Sequence, residues 1–181
     1  MNAKVQIQLS EQSVPFYGAK KLLDAYAIAL ETTTQIQTLI DRIGKNVVFL
    51  KSTHVNELHP NTFTELESLL SIARYLSNDF SNTFDVELEK YKNSVTECDA
   101  GDLLEVYGLA HEVSTWLSTT IYQIKDELIT VKKSSTVLCD AVFASLENLI
   151  NIADYLSDNH RNTFKIELEK YEAEWEASKN G

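Results

Sequence analysis

The 181-residue chain contains only five glycines and two prolines. Tight turns draw on those two residues, so a fold of many short strands is disfavoured and long helices with few connections are favoured. Cysteine is scarce too. Cys98 and Cys139 have no Cys-x-x-Cys partner and no basic neighbour to activate them, so they read as free thiols of a reducing compartment. No apolar run approaches the roughly 18 residues that mark a membrane span. The opening MNAKVQIQLSEQS also lacks the apolar centre of an export signal. A cytoplasmic location is the expectation.

Clusters of positive charge are missing as well. The formal net charge is −11, unevenly placed: residues 1–95 carry 9 basic and 11 acidic groups, and residues 96–181 carry 7 and 16. Nothing here neutralises a run of phosphates, which argues against direct nucleic-acid binding and against docking on an anionic membrane. A basic protein partner suits the second half better.

What the chain does have is a repeat. The segment LESLLSIARYLSNDFSNTFDVELEKYK from Leu66 returns as LENLINIADYLSDNHRNTFKIELEKYE from Leu146, identical at 16 of 27 positions. Upstream, LLDAYAIALETTT from Leu22 matches LLEVYGLAHEVST from Leu103 at 6 of 13 positions, with an offset of 81 instead of 80. One residue has been gained or lost between them, near the loop at His54–Asn61.

Each copy reads as two helices. In the first, Leu22, Tyr26, Ala29, Thr33, Ile36, Ile40, Ile43, Val47 and Leu50 recur at alternating steps of three and four; Leu103, Tyr107, Ala110, Ser114, Leu117, Ile121, Ile124, Leu128 and Val131 do the same in the second copy. This is a heptad seam. The second helices offer Leu66, Leu69, Ala73, Leu76, Phe80, Phe84, Leu88 and Tyr91, and then Leu146, Leu149, Ala153, Leu156, His160, Phe164, Leu168 and Tyr171. The Ser/Asn/Asp clusters SNDFSNTF and SDNHRNTF favour helix ends, but the apolar phase runs through them, so continuous helices are expected. Thr62-x-x-Glu65 and Gly101 followed by Asp102-x-x-Glu105 read as helix starts, and Asp140 as a cap for the fourth helix. The predicted fold is all-α: an elongated antiparallel four-helix bundle made of two duplicated helical hairpins with a short N-terminal extended arm. The predicted parts are an arm over 1–16, hairpins over 17–96 and 97–178, and the ECDAGD turn between hairpins. One hairpin alone exposes its seam; two related hairpins cover each other's.

Residues 4–10, KVQIQLS, alternate with strand period, placing Val5, Ile7 and Leu9 on one side. No other segment reads as a strand to pair with it. The arm is therefore a candidate for pairing outside its own chain, with its twin in a homodimer or with the sheet edge of a partner.

The search for chemistry yields little. HVNELH places His54, Glu57 and His59 at spacings that do not fit a zinc-protease helix, and in a loop. Glu-x-x-His, needed for a carboxylate-bridged di-metal bundle, does not occur. His160 is a special seam position because the other copy has Phe80 there. Helical ribonucleases of the HEPN class place an Arg several residues before a His on one helix. Neither copy has both residues, since Arg74 leads to Phe80 and Asp154 to His160. The reading carried forward is a non-enzymatic protein-binding module without metal or cofactor, recognising a partner through exposed acidic helix faces. Its rivals are a cofactor-binding bundle, with the repeated tyrosines and His160 lining its interior, an acidic mimic of nucleic acid, and a HEPN-like nuclease.

Overall fold

The computed structural model describes residues 15–135 and 138–179. Four helices, α1 (Ala19–Thr53), α2 (Thr64–Lys92), α3 (Ala100–Ser134) and α4 (Ala144–Lys179), pack into an antiparallel bundle. At 1.5 Å per residue the longer helices run about 50 Å. α1 lies chiefly against α2, and α3 against α4. The hairpins meet where α2 touches α3 and α1 touches α4, so α2 and α4 occupy opposite corners. The arm's Val5, Ile7 and Leu9 lie outside the described residues.

The seams of α1 and α3 are buried at every position named from periodicity. α3 also buries Val106, Val113, Ser118 and Thr120, as expected of a helix packed on both neighbours. Threonines suit helix interiors poorly, but in α1 Thr32, Thr33, Thr34 and Thr38 each turn the hydroxyl back onto a carbonyl of the preceding turn, Thr33 to Ala29 at 2.8 Å.

α2 and α4 correct the sequence reading. Their buried centres are Leu66, Leu70, Ala73, Ser77, Phe84 and Leu88, and Leu146, Ile150, Ala153, Ser157, Phe164 and Tyr171. Leu69, Leu76 and Phe80, and their counterparts Leu149 and Leu156, are half-buried at the flanks. Serine takes the centre because it is small and needs no partner from another helix: Ser77 donates to the carbonyl of Arg74 and Ser157 to that of Asp154. Both helices run unbroken through the Ser/Asn/Asp clusters, where Thr83 and Thr163 also bond back to their own helix.

The caps differ as well. The α3 cap is Asp99, three residues upstream of the expected start. Its carboxylate accepts from the Asp102 amide at 3.0 Å, and Asp102 accepts from the Asp99 amide at 2.9 Å, a reciprocal capping box. Gly101 thus falls inside the first turn, where a Cβ would lie 3.0 Å from the Trp175 ring and from the Asp99 carboxylate. The turn expected over ECDAGD is consequently a strand followed by a helix. β2 (Glu97–Asp99) pairs antiparallel with β1 (Phe16–Gly18), Tyr17 opposite Cys98. A partner strand therefore exists inside the chain for Phe16–Gly18.

Thr62 does not cap α2, and Asp140 does not cap α4. α2 begins after Phe63, whose ring is buried, and α4 follows a 3-10 turn at Asp140–Phe143, whose Phe143 ring is likewise buried. Each hairpin closes its loop end by inserting a phenylalanine into the core, and that burial sets where the helix starts. Asp140 faces Lys132 at 3.5 Å instead.

Candidate functional surfaces

The interior is well filled. At the end where α1 begins, Tyr26 stacks on Tyr91 with centroids 5.4 Å apart, and the counterparts Tyr107 and Tyr171 stack at 5.5 Å. Tyr17 meets Tyr171 edge-on and donates to Glu174. Burial, then the hydrogen bond to Glu174, pushes the Tyr17 phenol up to about 12; burial and Glu167 do the same to Tyr107. These tyrosines pack against one another and leave no room between the rings for a flat ligand.

His160 sits on α4 at mid-height. Its ring lies beside a void of ≈ 10 Å³ bounded by α1, α3 and α4, and its Nε2 is buried without a hydrogen-bond partner in the protein. Burial holds the imidazole below its usual range, against an opposing pull from Glu31. Arg161 beside it is tied to Asp158.

In the HVNELH loop, His54 Nδ1 pairs with Glu57 at 2.8 Å, while His59 Nδ1 accepts from the Asn61 amide at 3.2 Å. The structure thus separates the two histidines. Among the described residues no three His, Cys, Asp or Glu side chains gather as metal ligands, and no helix is long and apolar enough to cross a membrane. Cys98 is buried, which pushes its thiol pKa up, and Cys139 is exposed; both are free thiols.

The outside is more informative. Ile72, Tyr75 and Val86 project from α2, and Ile152, Tyr155 and Ile166 from α4, all between 48% and 71% exposed. Within each helix the three residues fall inside an arc of about 60° and span about 21 Å. They are equivalent positions of the two repeats, and they lie off the seam. Because α2 and α4 stand at opposite corners, the chain shows the same apolar stripe on two sides. The stripes were legible in principle: large apolar residues out of phase with a buried seam, recurring at the same places.

Charge around them is largely settled within each hairpin. Lys51 pairs with Glu67 at 2.7 Å, and its counterpart Lys132 with Glu147 at 3.0 Å. Arg74 pairs with Asp41 at 2.8 Å. At the counterpart of Arg74 stands Asp154, which receives Lys125 at 2.6 Å. In the acidic half Lys125, Lys132, Arg161, Lys165 and Lys170 all face carboxylates of that half. The surplus charge presented outward is therefore negative.

A second apolar concavity lies by the loop of the first hairpin. It is a groove of ≈ 460 Å³ walled by Val48, Val55, Leu58, Pro60 and Phe63, with Lys51 and Glu67 at its edge. No family model, curated protein or solved structure matches this chain.

Proposed function

We propose that this chain is a non-enzymatic protein-binding module of the regulator, adaptor or inhibitor type, docking through the outer faces of α2 and α4. The observation that carries the reading is the pair of exposed stripes, Ile72, Tyr75 and Val86 and Ile152, Tyr155 and Ile166. Helices that bury one face gain nothing in folding from large apolar side chains on the other, and tyrosine is enriched where proteins meet. Several neighbours of the stripes differ between the copies: Ser71, Arg74, Asn78, Asp79 and Asp85 are replaced by Asn151, Asp154, Asp158, Asn159 and Lys165, although Asn82, Glu89 and Lys90 recur as Asn162, Glu169 and Lys170. Ile72 and Tyr75 keep their residue, and Val86 becomes the similar Ile166.

The acidic surplus of residues 96–181 suits a partner whose apolar groove is rimmed by basic residues, with charge steering the encounter and the stripe holding the complex. In the same reading, Val5, Ile7 and Leu9 of the arm add a strand to a partner's sheet edge or to a second copy. The interior supports this over a cofactor-binding bundle, since a void of ≈ 10 Å³ is far below the ~300 Å³ of even a small ligand pocket. A nuclease role for His160 is disfavoured by the burial of its Nε2.

The test is site-specific photocrosslinking in the native host. A photoreactive phenylalanine analogue at Tyr75 and at Tyr155 is expected to capture the same protein, and one at Lys92 to capture none. Affinity for the captured protein should fall at least tenfold in Tyr75→Ser/Tyr155→Ser. Unchanged affinity in that variant, with its fold intact by circular dichroism, refutes docking on these faces.

A further inference from the structure

The middle of the bundle is built twice, once with rings and once with polar groups. Where α2 meets α3, Phe80 lies against Trp116 with centroids 5.6 Å apart, and Val113, one turn from Trp116, is buried. The repeat offsets of 80 and 81 carry these three positions to His160 on α4 and to Gln35 and Thr32 on α1. Three apolar residues thus stand opposite three polar ones at one height; of the polar three, His160 and Thr32 line the space described next and Gln35 is exposed.

The exchange coincides with an opening in the packing. The void beside His160 is walled by Thr32, Thr33 and Ile36 of α1, Ser114 and Leu117 of α3, and Ser157 of α4. Its volume of ≈ 10 Å³ is about the threshold for holding one water molecule. The hydroxyls of Thr32, Thr33 and Ser157 all donate to carbonyls of their own helices, at 2.8 to 3.1 Å. Each hydroxyl oxygen therefore keeps lone pairs to accept with. His160 Nε2 is the buried polar atom that these arrangements leave unpaired, and buried polar atoms in folded proteins are paired with protein or with ordered water.

We infer that the void is a hydration site, in which a single internal water bridges His160 Nε2 to the hydroxyl oxygens of Thr33 and Ser157 and completes the seam between α1 and α4. The ligand is water because the volume is about that of one water and the lining offers two to four polar partners to one molecule, the number an internal water uses. Ring-on-ring packing at the α2–α3 seam and water-bridged packing at the α1–α4 seam then make the two hairpins' contacts unequal.

The experiment uses the full chain, isotopically labelled, and magnetisation transfer from water to protein protons at neutral pH. Wild type is expected to show a water contact with the His160 ring and the Thr33 methyl, with the sign of a molecule bound for longer than nanoseconds. His160→Phe, which repeats Phe80, should abolish the contact at Thr33; His160→Gln, which restores a polar atom, should retain it. Absence of a long-lived water in wild type overturns the inference, as does a Thr33 contact that survives in His160→Phe. If His160→Phe does not fold, wild type and His160→Gln decide between the same outcomes.

Discussion

Gly44 and Arg74 offer the sharpest perturbation of this fold. Arg74 of α2 lies over Gly44 of α1, so close that a Cβ on Gly44 would fall 2.7 Å from Arg74 Nη2, and its guanidinium holds Asp41 at 2.8 Å. In the second hairpin the same two positions carry Lys125 and Asp154, paired at 2.6 Å with the charges reversed. Grafting that pair onto the first hairpin means Gly44→Lys with Arg74→Asp. Alone, Gly44→Lys gains about 0.7 kcal/mol of helix propensity. It loses a similar amount by displacing Arg74 from Asp41 and setting two cations together, because exposed pairs are worth only about 0.2–1 kcal/mol. Alone, Arg74→Asp removes the ion pair and brings two carboxylates together, at a cost of about 1 kcal/mol.

The double variant keeps the helix gain and forms the Lys–Asp pair, so it should be about 0.5–1 kcal/mol more stable than wild type. The coupling between the two changes is therefore about 1.5 kcal/mol, and part of it should disappear in 1 M salt, where screening shortens to about 3 Å. Urea unfolding of the four proteins reads the cycle directly, and the double variant should melt about 2 °C above wild type for a chain of this size. A coupling below about 0.3 kcal/mol would falsify the claim that the two hairpins are interchangeable at this contact.

Three further outcomes follow from the packing and the titrating groups. Phe63→Ala and Phe143→Ala each delete a ring buried to 1% and should cost about 3–5 kcal/mol in urea unfolding; a cost under about 1 kcal/mol would show that the loop ends are not plugged as described. His160 has its pKa lowered by burial, opposed by Glu31 of α1, while α3 presents only uncharged Ser114 and Leu117 and α4 only Ser157 to the void. As pH falls below the ordinary histidine value of about 6.5, the unfolded chain takes the proton first, so this stability is present above that pH and lost below it. The stability of His160→Phe relative to wild type should therefore grow between pH 7.5 and pH 5.5, and a difference that stays constant refutes the buried neutral imidazole. Tyr107 has its phenol pushed up to about 12 by burial, so its share of stability is present below pH about 10 and is lost as the pH rises through 12. Tyr107→Phe should blunt the loss of stability between pH 9 and pH 11, and an unchanged alkaline profile would refute it.

How legible the fold was differs from helix to helix. α1 and α3 could be read because each presents one apolar residue per seam position, with polar residues on either side. In α2 and α4 the seam passes apolar doublets, Leu69–Leu70 and Leu149–Ile150, and hydropathy cannot choose between neighbours. The centre then moves to Ser77 and Ser157, which score as polar but satisfy themselves on their own helix. The strands Phe16–Gly18 and Glu97–Asp99 have three residues each, too short to show a period, and form because the ends of the hairpins place them side by side. Choosing between Asp99 and Asp102 as the cap was equally a tertiary matter, since Trp175 packs against the first turn that the earlier start creates. His160 stood out only by comparison with Phe80, and the void beside it depends on Thr32, which periodicity does not mark.

Duplication and divergence are distributed unusually in this chain. In a bundle that served only to fold, core positions would be held by packing and exposed ones would drift. Here the outward Ile72 and Tyr75 recur as Ile152 and Tyr155, whereas the half-buried Phe80 stands opposite His160 and the buried Val113 opposite Thr32 in the repeat. An exposed tyrosine contributes little to stability, so folding alone gives no reason to keep two of them on opposite sides of a rod. A polar residue at a packed position lowers packing gain, so folding alone gives no reason for His160 and Thr32 where the other repeat has Phe80 and Val113. Both departures run against what stability favours, and they do so at different places: the outer faces of α2 and α4, and the α1–α4 seam. The first is accounted for by a partner that covers the stripes, the second by a water that occupies the gap. The two explanations share no residue, so either can fail without the other.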